Sequence, residues 1–233
     1  MILFDGIDIR SVAGVKIDEI RVSGIQYQTT ERARVVVAGA DLVRNRAASR
    51  VVAVQFCLLS QHMNVRQAAL DAISAWAKTD KEYKLQLPGH PDRYLMAVCT
   101  SKPDPSLKQW WEKLRLTFKC VSDPYWIDNT EKSAACGTSF LVLGDAPPIM
   151  RIERTLSASA SDQAYSDGTN TMTFSTIPAG DLVIDLDPEK QTAVVGNTSI
   201  MQYYNVNSKF IVPRTGTQTI TGTGTVKYRE RWS

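Results

Sequence analysis

Residues 64–78, Asn64-Val-Arg-Gln-Ala-Ala-Leu-Asp-Ala-Ile-Ser-Ala-Trp-Ala-Lys78, decide how the chain is read. Val65, Ala69, Ala72, Ile73 and Trp76 recur at helical spacing and predict an amphipathic helix with those five side chains as its core stripe. Asn64 stands where an N-cap belongs, and Gln67 follows at the spacing of a capping box. Three strand-like runs come next. Apolar and polar residues alternate in Tyr83–Leu87, and Arg93–Thr100 is apolar on both faces. In Leu114–Cys120 the residues Leu114, Leu116, Phe118 and Cys120 share one side. Pro88-Gly-His-Pro91 is a turn between the first two runs. The stretch closes on Val121-Ser-Asp-Pro-Tyr-Trp126. A helix followed by an antiparallel meander predicts a compact unit that covers one face of a sheet.

Upstream, the chain reads as strands. Ile7–Arg10 and Lys16–Val22 are short and partly alternating. Arg34–Ala38 and Val51–Leu59 are rich in β-branched residues and suit inner strands. Between those two lies Gly39-Ala-Asp-Leu-Val-Arg-Asn-Arg-Ala-Ala-Ser-Arg50, polar and carrying Arg44, Arg46 and Arg50. Two readings stand side by side: a solvated hairpin loop, or an arm that docks on a neighbouring subunit, since Arg suits interfaces.

Downstream of Trp126 the composition shifts to Thr, Ser, Gly and Asn, with no helical pattern. Gly144-Asp-Ala-Pro-Pro148 is a breaker. A domain boundary is expected near residue 135, giving domains 1–135 and 136–233. Strands are expected at residues 140–143, 149–154, 171–177, 181–186, 192–195, 209–212, 217–220 and 225–232, separated by turn signals, the pattern of a β-sandwich. In the last of these, Val226, Tyr228, Glu230 and Trp232 share one face and Lys227, Arg229 and Arg231 the other.

At 233 residues with 43% hydrophobic and 22% charged composition, the chain belongs among ordinary globular proteins. No apolar run approaches the ~20 residues a membrane helix needs, and Met1-Ile-Leu-Phe-Asp5 lacks the marks of a signal peptide. The net charge of +3, with 27 basic residues set against 24 acidic ones, gives no nucleic-acid signature by itself. Cys57, Cys99, Cys120 and Cys136 are widely spaced and read as reduced thiols. The two histidines, His62 and His90, cluster with neither cysteine nor carboxylate. No Gly-x-Ser-x-Gly and no phosphate-binding loop occurs. Asp185, Asp187 and Glu189 start like a calcium loop, but Lys190 and Gly196 stand where Gly and Glu are required. No catalytic, cofactor or metal site is expected.

A resemblance adds to this. Phe4-Asp-Gly-Ile7, Ala72-Ile-Ser-Ala-Trp76, Tyr83-Lys-Leu-Gln-Leu-Pro88, Asp92-Arg-Tyr94, Leu116-Thr-Phe118, Asp123-Pro-Tyr-Trp126, Ile177-Pro-Ala-Gly-Asp181, Ile184-Asp185 and Val226-Lys-Tyr-Arg-Glu-Arg-Trp232 follow one another in order and spacing. The sequence thereby resembles the distal tail (Dit) proteins of long-tailed, non-contractile phages. A departure falls at Ala40-Asp-Leu-Val-Arg-Asn-Arg46, where that family shows a Gly-bearing hairpin. The resemblance implies a mainly β, α+β fold: an N-terminal tail-tube-like sheet or split barrel with one helix, and a C-terminal galectin-like or carbohydrate-binding-module-like sandwich. It also implies a non-enzymatic baseplate subunit of the virion, assembled in the host cytoplasm. Six copies would form a ring around a channel that DNA crosses without specific binding. The implied partners are the tail tube, the tape-measure protein, the tail-associated hub protein and receptor-binding proteins. A carbohydrate-binding module or adhesin, with Tyr203 and Tyr204 stacking on sugar, is the other reading, and a glycosidase using Asp181 and Asp185 a third.

Overall fold

The computed structural model describes residues 2–33, 40–60, 62–101, 111–188 and 190–233, with backbone alone for 29–33, 40–46, 111 and 112. Two compact units divide at Trp126/Ile127. Residues 127–135 thus go with the second unit, because Lys132–Ala135 pairs with Thr225–Tyr228 at the end of the chain. The expected boundary at 135 lies inside that pairing.

The first unit opens with β1 (Leu3–Phe4) and β2 (Ile7–Asp8), joined by Asp5-Gly6. Both turn residues have positive φ, 52° and 76°, the backbone that a two-residue hairpin turn requires and that Gly adopts without strain. A 3-10 turn (Ile9–Ser11) leads to β3 (Val15–Val22), β4 (Gln26–Ala33), β5 (Ala40–Leu59), α1 (Met63–Trp76), β6 (Tyr83–Gln86), β7 (Arg93–Cys99) and β8 (Trp111–Cys120). Antiparallel pairing runs β3-β5-β8-β7-β6-β1-β2. The sheet is open, so the unit takes the sheet form of the expectation and not the split barrel.

Its core follows strand alternation. Val52, Val54, Phe56 and Leu58 of β5 and Leu114, Leu116, Phe118 and Cys120 of β8 all point inward. α1 packs against them through Ala69, Leu70, Ile73 and Trp76. Trp76 makes edge contacts with Phe4, Phe56 and Phe118 at 5.5, 6.1 and 5.6 Å. Its indole N–H donates to the Ile7 carbonyl at 3.0 Å, so the helix is fastened to the N-terminal hairpin.

The helix corrects the sequence reading in three places. It begins at Met63 with His62 as N-cap and no side-chain cap bond, so the Asn64–Gln67 capping box does not form; Gln67 instead donates to Asp71 at 2.9 Å. Val65 is exposed and Ala72 only half-buried. The buried stripe is Arg66, Ala69, Leu70, Ile73 and Trp76, a pattern of i, i+3, i+4, i+7 and i+10. Val65 sits one residue, about 100° of helix, off that stripe. Arg66 was passed over because its charge hides an apolar stem long enough to be buried.

β9 (Trp126–Asp128) carries the chain into the second unit. There follow β10 (Lys132–Ala135), β11 (Ser139–Val142), β12 (Ala146–Leu156), β13 (Ala160–Ser166), β14 (Thr171–Ile177), β15 (Gly180–Asp185), β16 (Thr192–Val195), β17 (Thr198–Ser199), a 3-10 turn (Met201–Tyr203), β18 (Gly216–Thr219) and β19 (Thr225–Trp232). One sheet has the order β17-β16-β15-β12-β19-β10, while β11–β18 and β13–β14 form two ribbons. A single core joins them: Met150 and Ile152 from the sheet meet Phe140 and Val142 from one ribbon and Met172 and Phe174 from the other. This layering makes the unit a sandwich.

Several details differ from expectation, the short β10 and β17 among them. Pro147 and Pro148 lie inside β12, where the pairing with β19 slips between Ala146 and Ile149, because proline cannot donate to the ladder. Residues 209–212 form no strand, although Phe210 and Ile211 are buried. β13 was not foreseen, since Ala160-Ser-Asp-Gln-Ala-Tyr-Ser166 is polar and small.

Candidate subunit interface

The β3–β4–β5 region corrects the loop reading for residues 40–50. β5 is a single strand of twenty residues. From Arg50 to Leu59 it is paired on one side with β8, and Val52–Leu58 is paired with β3 on the other. From Ala40 to Ser49 it pairs with β4 alone among the described residues. The result is a two-stranded arm that continues the sheet past its last shared neighbour. At ~3.3 Å per residue, ten residues reach roughly 30 Å. A free two-stranded ribbon is marginal in water and offers unpaired backbone on both edges, which makes such an arm a natural point of association. The run Arg34–Ala38 lies outside the described residues.

The root of the arm is fixed. The Ser23 N–H donates to the Val51 carbonyl at 2.8 Å, and the Ser23 hydroxyl accepts from the Val51 N–H at 2.9 Å. The Ser49 hydroxyl donates to Gln26 at 3.1 Å. Tyr27, on the described part of β4, is 56% exposed and stands opposite Ala47. An exposed aromatic at the start of the arm is the kind of side chain that anchors interfaces.

The three arginines do not act together. Arg44 and Arg46 lie on the arm, in register with Thr30 and Gln28. Arg50 lies at its root, buried to 3% exposure, with its guanidinium 5.7 Å from the centre of the Trp126 ring. His90 also contacts that ring, at 4.5 Å with the two planes tilted by 47°. Arg50 is therefore a structural residue of its own unit and not part of the docking surface expected from its position in the sequence. The reason is register: β8 ends opposite Arg50, at Cys120, so Arg50 is the last residue of β5 inside the full sheet.

The chemical candidates are engaged elsewhere. Asp181 accepts from the Thr155 hydroxyl at 2.7 Å. Asp185 accepts the Asp187 N–H at 3.0 Å, and the Lys190 ammonium sits 3.9 and 3.8 Å from Asp185 and Asp187, so the calcium-like sequence is a turn carrying its own cation. Tyr204, half-buried, packs on Phe174 and Phe210 at 5.6 and 4.9 Å, so its ring is partly engaged by the core of its own unit. Tyr203 lines a shallow recess of about 260 Å³ with Gln202, Ser199 and Thr198. All four cysteines are free thiols; burial pushes Cys99 and Cys136 up and Cys120 up to about 12. Among the described residues no three His, Cys, Asp or Glu side chains converge as a metal site, and no helix is long and apolar enough to cross a membrane.

Sequence reasoning missed two charged features of the second unit. Glu230, 1% exposed, accepts the Leu143 N–H at 2.9 Å and pairs with Lys132 at 2.8 Å. Arg151 grips Glu131 with two bonds of 2.8 and 3.0 Å and donates to Glu153 at 2.6 Å, which Lys227 also pairs at 2.6 Å. The alternation in β19 was the available signal: it placed Glu230 on the packed face, where a carboxylate needs a partner.

No protein-family profile matches the chain, and no curated protein matches it significantly. Solved structures do. The Dit protein (gp 19.1) of phage SPP1, described as a paradigm of the hub adsorption apparatus in phages infecting Gram-positive bacteria, is similar over 100% of this chain and 98% of its own, with 16% identity and a TM-score of 0.75. Chains of the phage p2 baseplate in its activated conformation, with Sr and with Ca, are 10% and 11% identical, each covering 94% of this chain and 91% of their own, with TM-scores of 0.43 and 0.42. From its first hairpin to its last strand, the chain has the α+β fold of a Dit protein.

Proposed function

We propose that the chain is a structural subunit of a phage tail tip, a Dit-type hub that joins the tail tube to the adsorption apparatus. The likeness to the SPP1 hub protein over the full length of both chains carries this reading. In it, six copies close a ring, with the 1–126 units inside and the 127–232 units, galectin-like sandwiches, outside. The β4–β5 arm bridges neighbours, and ring closure removes the free strand edges that the isolated chain presents. DNA leaves through the channel without sequence-specific contacts. The tail tube and tape-measure protein meet one side of the ring, the tail-associated hub protein the other, and receptor-binding proteins its rim. The protein is non-catalytic, in keeping with Asp181, Asp185 and Glu230, each of which is held by a local partner. Its place is the virion, after assembly in the host cytoplasm. Antibody labelling of purified particles tests the reading: gold at the distal end of the tail supports it, and gold on the capsid, or none on particles that contain no copy of the chain, refutes it.

A further inference from the structure

At the β16–β17 edge of the second unit's sheet the chain folds a recess of about 260 Å³. Its walls come from three places: Pro178 and Ala179 between β14 and β15, Val195 at the end of β16 with Thr198 of β17, and Gln202 and Tyr203 in the 3-10 turn. That turn is held in place. Ile200, which precedes it, is buried in the core, and its N–H donates to the Ala193 carbonyl at 2.9 Å. The Tyr203 N–H donates back to the Ile200 carbonyl at 3.0 Å. Gly180 lets two of the walls meet: a Cβ there would lie 2.7 Å from the Val195 side chain, and its φ of 133° suits glycine alone. Tyr203 is half-buried, and Gln202 and Thr198 are exposed. The Tyr203 hydroxyl, the Gln202 amide and the Thr198 hydroxyl have no hydrogen-bond partner among the described residues.

We infer that this recess binds one neutral pyranose unit, as a free glycoside or as the end of a longer sugar chain. Three observations select that ligand. Among the described residues no Asp, Glu, Lys or Arg lines the recess, so a phosphate, carboxylate or ammonium group finds no counter-charge there. The lining also sets one aromatic ring beside hydroxyl and amide groups that the fold leaves uncommitted. A pyranose has the matching two-sided chemistry. Its C–H face carries slight positive charge and meets the negative face of an aromatic ring, and its hydroxyls both donate and accept at the rim. A wholly apolar ligand would bury those polar groups unpaired, which costs affinity. Lastly, the volume falls just below the roughly 300 Å³ at which sites for drug-sized ligands begin, so the recess takes one ring and not a longer segment. Of the two adjacent tyrosines only Tyr203 lines it, since Tyr204 packs on Phe174 and Phe210. The inference does not depend on the hub reading.

The test is saturation-transfer NMR of the full chain with the methyl glycosides of glucose, galactose, mannose and N-acetylglucosamine. A ligand of about a dozen heavy atoms binds weakly, with a Kd on the order of 1 mM. At least one glycoside receives saturation on its ring C–H protons. Tyr203→Phe weakens that glycoside about fivefold, through the loss of one hydrogen bond, and Tyr203→Ala weakens it at least tenfold. Because Tyr203 also packs on the core, a second variant is needed that spares the fold. Thr198→Val/Gln202→Ala changes two exposed positions and weakens binding at least tenfold. The control Tyr27→Ala removes an exposed aromatic of the first unit and binds as the parent does. No transfer to any of the four glycosides, unchanged binding in Thr198→Val/Gln202→Ala, or an equal loss in Tyr27→Ala overturns the proposal. So does tighter binding of a proline-rich peptide in competition with the glycoside, which would make the recess a peptide site. Each of these outcomes leaves the labelling of the tail tip unaffected, so the two readings fail separately.

Discussion

Replacing Trp76 by Ala tests how the first unit is held together. Trp76 is 4% exposed, touches three other aromatic rings and satisfies the Ile7 carbonyl. Truncating a buried Trp to Ala costs about 3–5 kcal/mol. The upper half of that range applies here, because sheet strands on one side and the β1–β2 hairpin on the other leave little room for collapse. Trp76→Phe keeps the ring contacts and gives up the hydrogen bond, at about 1–3 kcal/mol. Val65→Ala, on the exposed flank of the same helix, costs under ~1 kcal/mol. Urea melts followed by intrinsic fluorescence report this unit, since Trp76, Trp110, Trp111 and Trp126 lie in it and only Trp232 lies in the other. A loss below ~1 kcal/mol for Trp76→Ala, or equal losses for Trp76→Ala and Val65→Ala, refutes the packing described.

Three further outcomes follow from the geometry. Arg44→Glu/Arg46→Glu reverses charge on the arm and weakens self-association at least tenfold in sedimentation while the melting curve stays within ~0.5 kcal/mol of the parent, because the arm lies outside the core. Glu230→Ala costs about 2–3 kcal/mol, since it orphans the Leu143 N–H and unpairs Lys132, whose partial exposure limits the penalty; Glu230→Gln recovers part of it, and the check is a urea melt followed by far-ultraviolet circular dichroism. Iodoacetamide at pH 8 modifies half-buried Cys57 first and spares Cys120, whose thiol is held up to about 12 by burial, as peptide mass spectrometry reads directly.

The elements with strong periodicity were legible. Leu114, Leu116, Phe118 and Cys120 fall on one face of β8, and Val226, Tyr228 and Glu230 on one face of β19, as alternation says they must. The helix was legible as an element but not in phase: Ala-rich sequence leaves the stripe ambiguous by one residue, and the buried stem of Arg66 carries no apolar signal. The arm was legible only as one of two readings, loop or docking arm, because Gln26-Tyr-Gln-Thr-Thr-Glu-Arg-Ala33 and Ala40–Ser49 carry no clean apolar–polar alternation. A two-stranded ribbon lacks the core that writes strands into sequence. Arg50 was misplaced for a related reason, since only the end of β8 decides which arginine falls inside the sheet. Tyr203 and Tyr204 are neighbours in sequence, and nothing in their residue type tells the ring packed on Phe174 and Phe210 from the one beside open surface.

Electron cryomicroscopy of assembled tails bears most directly on the central claim. The account predicts six copies of this chain in a ring at the distal end, the 1–126 units innermost and each β4–β5 arm lying against the next subunit. A ring of another symmetry, arms that touch no neighbour, or tails that lack the chain would contradict it.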